Sequence, residues 1–378
     1  MRVMIVLLFL AQIAAAQSRP APTPAAPVNK PAGTQTEAPS TTAEMTTLPL
    51  GKGLPVLVRA GVYFQNISAF DENEGLFTGT VDMRLKWDDS RLRYAAETTP
   101  RGFQEFRGPR ADDKLKEIWV PGVAFLNLKD SPSYQTTSLR IFPDGQVELM
   151  QRTTGRFAVR IAASDFPFDK QTLGVEIAVR RETTGEASLV FLQEDLDFSR
   201  AADDVALDGW TPGHVDIRKT SYQGWYGQSH SGLVAGLAVA RQYGKVIPIV
   251  FIPLLASLLI PMLAIWMNRT EAGEFQVDTF ELGNVIVGGL FAIIALNFTI
   301  NGAYKPIASG DNTITRLFAL NYVTLGVGLF IVVFFYRYGV PMRLWGRHVQ
   351  GQLFSYLSWA VPVLAFGTAL AFIFVAAS

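Results

Sequence analysis

The segment from Asp165 to Leu173 combines two carboxylates and two phenylalanines around Pro167. These residue types suit ion pairing and apolar packing, because no nucleophile or histidine base accompanies the acids. Proline fixes φ and removes a backbone donor, so the tip of the loop is predicted to be stiff. A stiff loop transmits a displacement instead of absorbing it, which predicts a coupling element between two parts of the chain.

A second group of polar and small residues interrupts an apolar segment. Its members share one helical face, with spacings of 3, 4, 3, 4 and 3: Glu281, Asn284, Gly288, Phe291, Ala295 and Phe298. Polar groups at membrane depth are costly and usually face a bundle interior or water. In a ring of identical subunits this stripe predicts an anionic ring at Glu281, a polar ring at Asn284 and a hydrophobic constriction at Phe291 or Phe298. The alternative is a packing helix whose glycines permit close contact.

Four apolar segments are each long enough to cross a bilayer as a helix. They lie at about 246–267, 282–300, 317–336 and 353–377. The third connection carries basic residues, namely Arg337, Arg343, Arg347 and His348. The excess of positive charge places this connection in the cytoplasm. Because three crossings precede this cytoplasmic connection, the N-terminal domain is expected on the opposite side of the membrane.

Residues 49–241 contain eight or more short β-rich runs separated by glycine, proline, aspartate and asparagine turns. The runs are VLVRAGVYF, LFTGTVDMRLKW, TTSLRIF, QVELMQR, GRFAVRIAA, TLGVEIAV, SLVFL and GLVAGLAVA. Such spacing predicts an antiparallel β-sandwich. Residues 242–378 then form a four-helix membrane domain. Residues 17–48 are rich in proline, alanine and threonine and predict a disordered leader. Residues 1–16, with an apolar core shorter than the roughly 20 residues of a span, predict a secretory signal peptide rather than a membrane anchor.

The composition argues against several classes of function. The sequence has 33 basic and 33 acidic residues, which gives no electrostatic case for nucleic-acid binding. It contains no cysteine, and its three histidines are scattered, so neither a metal site nor a cofactor is predicted. The acidic turn at 71–74 suits Ca²⁺ in its ligand type, but it lacks a fuller set of oxygen ligands.

Several motifs, in their order above four apolar spans, resemble the pentameric ligand-gated ion channels of the Cys-loop receptor superfamily, particularly the bacterial branch. The resemblance covers about residues 51–378 and rests on TVDMRLKWDDSRL (80–92), IWVPGVAFLN (118–127), DGW (208–210) and ARQYGKVIPIVFIP (240–253). The loop described above matches the loop that two cysteines close in the family. Val159 and Leu173 stand at those ends, as is usual in bacterial members.

The resemblance implies a β-sandwich ligand-binding domain above a four-helix membrane bundle, assembled as a homopentamer around a central pore. It places the agonist site between adjacent subunits. The residues that match its loops are Leu126 and Asn127 on the first, Arg180 and Arg181 on the second, Trp225 and Tyr226 on the third, and Asp82 on the opposing strand. Arginines suit a carboxylate and an aspartate suits an amine, so the ligand class stays open.

The resemblance also implies a coupling site. Asp169 is expected to face Arg241, and Asp71 is expected near the same guanidinium, which forms bidentate bonds with carboxylates. The loop containing Pro167 is expected to push the connection at Lys305 and Pro306.

The sequence therefore predicts a ligand-gated, cation-selective channel of a bacterial inner membrane, multi-pass, with its N-terminal domain in the periplasm. Its expected partners are copies of itself, a small-molecule or ion agonist, permeating monovalent cations and membrane lipid. A non-conducting, membrane-anchored periplasmic receptor is the alternative. An enzyme is disfavoured because no nucleophile motif, metal spacing or general-base cluster is present.

Overall fold

The computed structural model describes residues 45–49, 55–267, 270–271, 274–275, 279–303 and 310–377. The expected signal peptide at 1–16, most of the expected leader at 17–48, and both Lys305 and Pro306 lie outside the described residues. Residues 45–48 of the expected leader are described. Arg91 Nη2 donates to the Thr47 carbonyl at 2.9 Å, and Leu48 packs against the core of the first domain.

Two sheets form the N-terminal domain. The first has the strand order β3-β5-β6-β2-β1-β8 and the second has the order β4-β7-β10-β9. The strands are β1 (Val56–Asp71), β2 (Leu76–Asp88), β3 (Gln104–Arg107), β4 (Val123–Phe125), β5 (Tyr134–Ile141), β6 (Gln146–Ala158), β7 (Lys170–Val179), β8 (Ala187–Val190), β9 (Trp210–Gln223) and β10 (Ser229–Arg241). Two short helices, α1 (Pro109–Glu117) and α2 (Gln193–Phe198), lie in the connections.

Alternating side chains place the core between the sheets. In β2 the inward residues Phe77, Val81, Met83 and Leu85 are almost fully buried, as the period of two along a strand requires. The predicted β-sandwich is confirmed. One pairing differs from the expected antiparallel arrangement, because β1 and β8 run parallel.

Strand β9 was not predicted, because its sequence does not alternate between apolar and polar residues. Only Trp210 and Ile217 of this edge strand are buried, and its pairing with β10 holds it in the sheet. Two of the predicted runs, around QVELMQR and GRFAVRIAA, are instead parts of the single strand β6.

Four helices in the described part of the chain are long and apolar enough to cross a membrane. They are α3 (Ile247–Trp266), α4 (Thr279–Ala303), α5 (Thr313–Arg337) and α6 (Val340–Ala377). Between α3 and α4 lies a short hairpin, β11 (Thr270–Glu271) and β12 (Glu274–Phe275). The predicted fold class, a β-sandwich followed by four apolar helices, is confirmed.

The last helix begins earlier than its apolar segment predicts. Helix α6 starts at Val340 and continues to Ala377, with a break at Gly346, whose φ of 84° and ψ of 169° are not helical. Glycine accepts this conformation without a Cβ penalty. The basic residues between the third and fourth spans therefore lie mainly on a helical segment, and not in an open loop.

Candidate functional site

Arg241, the last residue of β10, is held between two carboxylates. Its Nε donates to Asp169 Oδ1 at 2.6 Å and its Nη2 to Asp169 Oδ2 at 3.1 Å. Its Nη1 and Nη2 donate to the two oxygens of Glu72 at 3.0 and 2.6 Å. Both contacts are bidentate, the strongest geometry for this pair of groups. The side chains of Arg241 and Asp169 are only 6% and 2% exposed.

Aromatic rings enclose the same guanidinium. Its Cζ lies 4.2 Å from the ring centroid of Trp210 and 4.7 Å from that of Phe166, within the range of cation–π attraction. Burial opposes the charge, but the hydrogen bonds that Arg241 donates to Asp169 and Glu72 outweigh it and raise the pKa of Arg241 above its ordinary value. Arg241 therefore stays charged in this buried place.

The expected contact between Asp71 and Arg241 is wrong. Asp71 Oδ1 instead accepts hydrogen bonds from the backbone nitrogens of Asn73 and Glu74 at 2.8 and 3.1 Å. Aspartate commonly caps its own turn in this way, which leaves the next residue, Glu72, to reach the guanidinium. The sequence placed the acidic turn correctly but chose the wrong carboxylate.

The loop around Pro167 packs against the membrane domain. Phe166 is 1% exposed and joins a hydrophobic cluster with Val246 and Val250 at the start of α3. The ring of Phe168 lies 5.2 Å from that of Tyr243. The loop thus contacts α3 through apolar side chains while Asp169 ties it to the end of β10.

Gln171 closes this loop without a disulfide, which sequence reasoning missed. Its amide accepts from Ala162 N at 3.0 Å and donates to Ala162 O at 2.7 Å. The same Nε2 lies 2.7 Å from Asp169 Oδ2. The role of Gln171 depends on burial and on backbone contacts across the loop, which the sequence does not show. Glutamine also has no typical spacing that would have identified it.

The predicted stripe on α4 faces away from the helix bundle of its own chain. All its members are exposed: Glu281, Asn284, Gly288, Phe291, Ala295 and Phe298. The buried residues of the helix lie on the other side, at Leu282, Ile286, Ile293 and Ile300. Asn297 lies off the stripe, as expected, and its Nδ2 is 3.3 Å from the hydroxyl of Tyr322 on α5.

Four of the residues matched to the agonist loops lie on the side of the four-stranded sheet. Trp225 and Tyr226 lie at the tip of the β9–β10 hairpin with 87% and 98% of their surfaces exposed, and Tyr226 has a φ of 59°. Arg180 is exposed, and Arg181 donates to the Val120 carbonyl. All of these lie on the four-stranded sheet or its connections.

Three other candidates have structural contacts. Asp82, on the six-stranded sheet, forms a bidentate pair with Arg152 at 2.7 Å. The Asn127 side chain donates to the carbonyls of Ala158 and Gly174 and accepts from Glu176 N, at 2.7 to 3.0 Å. Leu126 is half-buried. One chain therefore does not gather these residues into one pocket, and their role as a ligand site stays a prediction.

Sequence reasoning also missed a charged cluster that fixes α2 on the six-stranded sheet. Asp195 is 1% exposed and pairs with Arg59 and Arg84, each at 2.9 Å. Lys86 Nζ lies 2.6 Å from Glu194 Oε1. Arg84 and Lys86 share with Asp82 the outward face of β2, a period-two pattern visible in the sequence. The hydrogen bonds from Lys86 and Arg59 lower the pKa of Glu194 to about 2.

A pH-dependent loosening of α2 follows from this cluster. The pKa of Glu194 is depressed from 4.5. The stabilisation that its ionised carboxylate gives to α2 is therefore fully present above pH 4.5 and is lost as the pH falls towards 2. Amide hydrogen exchange across 193–198, corrected for the intrinsic rate, is expected to accelerate between pH 5.5 and pH 3.5 in the wild type. Glu194→Gln is expected to lose most of this pH dependence, whereas Glu97→Gln, at an exposed site, retains it. Equal pH dependence in wild type and Glu194→Gln would contradict the assignment.

The chain therefore combines a two-sheet β-sandwich with four helices of membrane-spanning length, and a buried ion-pair cluster lies where the sandwich ends and the first helix begins. A family model described as "Neurotransmitter-gated ion-channel ligand binding domain" matches residues 44–242. The chain belongs to this family. Its members are ion channels and not enzymes, as the sequence predicted.

Named relatives agree with the family. The chain is 26% identical over 247 residues to a proton-gated ion channel of Gloeobacter violaceus, covering 65% of this chain and 64% of that protein. It is 25% identical over 235 residues to the gamma-aminobutyric acid receptor subunit rho-2 of Bos taurus, covering 60% of this chain and 48% of that protein. The matches thus span about half to two thirds of these relatives.

Proposed function

We propose that the chain forms a homopentameric, ligand-gated, cation-selective channel of a bacterial inner membrane. In this proposal, residues 1–16 are a cleaved signal peptide and 17–48 a leader. The sensing domain at 49–241 lies in the periplasm, and the pore domain at 242–378 crosses the membrane. The permeating species are monovalent cations, and the agonist binds between adjacent subunits.

The α4 stripe is the observation that supports the pore. Its residues point away from the chain's own bundle although Glu281 and Asn284 are polar. Exposure of such groups to lipid would be costly. A ring of copies around a water-filled axis would remove that cost, place the carboxylates of Glu281 in one ring, and close a hydrophobic constriction at Phe291 and Phe298.

The split between the two sheets supports binding at an interface. Asp82 lies on one sheet, and Trp225 and Tyr226 extend into solvent from the other. Exposed adjacent aromatic residues on a hairpin tip are poorly explained by core packing within one chain. A neighbouring copy that supplied the opposing sheet would complete a site with these aromatics, Arg180, Arg181 and Leu126 on one side.

The coupling pathway connects this site to the pore. A ligand opens the channel only if it binds the open state more tightly than the closed one. A change in the sandwich that favours the open state would reach the membrane helices through the Pro167 loop, which packs on α3, and through the Glu72–Arg241–Asp169 cluster. The next contact in the proposal, with the connection at Lys305 and Pro306, stays a prediction.

Recordings from the reconstituted protein in planar bilayers test the function. The agonist panel includes pH steps, amines, carboxylates, divalent cations and γ-aminobutyric acid, since relatives are named for protons and for that amino acid. At least one agonist is expected to evoke single-channel currents. Ala295→Gln, on the stripe, is expected to change unit conductance by about twofold or more because it adds a polar group to a pore ring.

Val323→Gln is the matched control for this experiment. Val323 is 61% exposed on α5, outside the stripe, and its replacement is expected to leave unit conductance unchanged. If Ala295→Gln assembles normally with the conductance of the wild type, α4 does not line the pore. If no agonist evokes current from a verified pentamer, the non-conducting receptor becomes the better explanation.

A further inference from the structure

The outward face of the four-stranded sheet carries a groove of about 760 Å³ beside the base of the coupling loop. Gly174 of β7 lies in its floor, where the nearest atom to an added Cβ would be Val234 Cγ1 at 3.6 Å. Leu173 and Val175 point into the core, so the glycine between them faces outward. The missing side chain of Gly174 leaves a gap in the outward layer of β7, whereas Thr172 covers its partner Gly236.

The charges around this gap are not satisfied by one another. Arg160 and Glu176 both line the groove and are both exposed. Neither side-chain charge has an ion-pair partner within the part of the chain that the structure describes. Arg218, on the far wall, forms an exposed ion pair with Asp216 at 3.0 Å. Lys219 also lines the groove, but it lies opposite the inward-facing Leu233 in the β9–β10 pairing, and its Nζ is 6.0 Å from the ring centroid of Phe191. Arg160 and Glu176 are therefore the outward charges of opposite sign that the groove offers to a ligand.

Between these charges the surface is apolar or weakly polar. Val234 lies next to Glu176 across the β7–β10 pairing, and Ala158 and Val159 line the side of the loop. A volume of this size falls in the range of small-molecule sites, which combine an apolar lining with a few polar groups that fix orientation.

We propose that this groove binds a small zwitterion, with its carboxylate on Arg160, its ammonium group on Glu176 and its apolar body over Gly174 beside Val234. Charge-assisted hydrogen bonds at both ends give a zwitterion an advantage over a molecule that carries only one of the charges. The groove differs from the proposed agonist site in most of its lining: Trp225, Tyr226, Arg180 and Arg181 do not line it, although Asn127, which matches the first agonist loop, does.

The position of the groove suggests its effect on gating. Asn127 joins the carbonyls of Ala158 and Gly174, so it holds the start of the coupling loop against β7 under the groove. A ligand on this junction would stabilise one arrangement of the loop and modulate the response to agonist. This modulation rests on the proposed function, whereas binding to the groove does not.

Binding is tested by saturation-transfer NMR on the full chain in nanodiscs, with empty nanodiscs as background. The probes are 6-aminohexanoate, hexanoate and hexylamine, which share one apolar body and differ in charge. The zwitterion is expected to bind at least about tenfold more tightly than either singly charged probe, and Arg160→Gln and Glu176→Gln are each expected to weaken it about tenfold. Arg101→Gln, an exposed arginine outside the groove, is expected to have no effect.

Filling the groove is the second test. A Cβ on Gly174 would lie 3.6 Å from Val234 Cγ1, an ordinary contact, so Gly174→Ala is expected to fold and Gly174→Leu to block the floor. Zwitterion binding that persists in folded Gly174→Leu, or that matches binding of hexanoate or hexylamine, would overturn the proposal. If Gly174→Leu does not fold, the two charge variants decide alone. Binding without any change in agonist response would refute the modulation only.

Discussion

Arg241→Ala is expected to assemble as a pentamer that agonist no longer opens, or opens only at concentrations at least tenfold higher. The substitution leaves Asp169, whose side chain is 2% exposed, without its cation. Removing one member of a buried ion pair costs about 3 to 5 kcal/mol because the remaining charge is uncompensated. The cluster joins the end of β10 to the Pro167 loop, so that cost falls on the element proposed to transmit the signal.

The two acidic residues of the turn provide a sharper comparison. Glu72→Gln removes the charge of a bidentate partner of Arg241 and is expected to shift the concentration for half-maximal current in the same direction as Arg241→Ala, by a smaller factor. Asp71→Asn is the matched control. An asparagine oxygen still accepts the backbone bonds that Asp71 makes with Asn73 and Glu74, so its response is expected to remain within about twofold of the wild type.

Concentration–response curves in bilayers measure these shifts, and size-exclusion chromatography in detergent verifies assembly. A normal curve for assembled Arg241→Ala would remove the cluster from the gating pathway. A larger shift for Asp71→Asn than for Glu72→Gln would mean that the turn acts through its backbone shape rather than through the Glu72–Arg241 pair.

The error at Asp71 shows how far the sequence determines such a site. The charged groups and their elements were predictable because the resemblance to the channel family implies that Asp169 of the loop faces Arg241 before the first span. The choice between two neighbouring carboxylates was not, because it depends on which one turns back to cap its own backbone. Gln171 was missed for a related reason, since its role arises from a contact with Ala162 that only the folded loop creates.

The strands and helices also divide into those that the sequence predicts and those that it does not. Strands with buried alternating residues, such as β2, were predictable from the period of their side chains. The edge strand β9 was not, because hydrogen bonds to β10 hold it rather than burial of its own side chains. That these α4 residues share one face was predictable from spacing, since the same helical period that hides Leu282 and Ile286 exposes Glu281 and Asn284. Spacing did not decide between a pore-lining face and a packing face.

Glu281→Gln is expected to lower the preference of the open pore for cations over anions by about tenfold or more. A unit charge 4 Å from an ion contributes about 1 kcal/mol even in bulk water, and a factor of ten in selectivity corresponds to about 1.4 kcal/mol. Each copy in the proposed ring loses one exposed carboxylate at the start of α4, so the summed change exceeds that value. The readout is the reversal potential under a sodium chloride gradient.

Glu281→Asp separates the charge from the other properties of this position. It keeps a carboxylate in the ring with a shorter side chain, so cation preference is expected to persist while unit conductance changes. The effect of Glu281→Gln is expected to shrink at high ionic strength, because salt screens exposed charges over about 3 Å at 1 M and about 10 Å at 0.1 M. An unchanged reversal potential in Glu281→Gln at low salt would assign selectivity to another ring. Asn284 would then be the first candidate, because it is the next polar residue on the exposed stripe of α4.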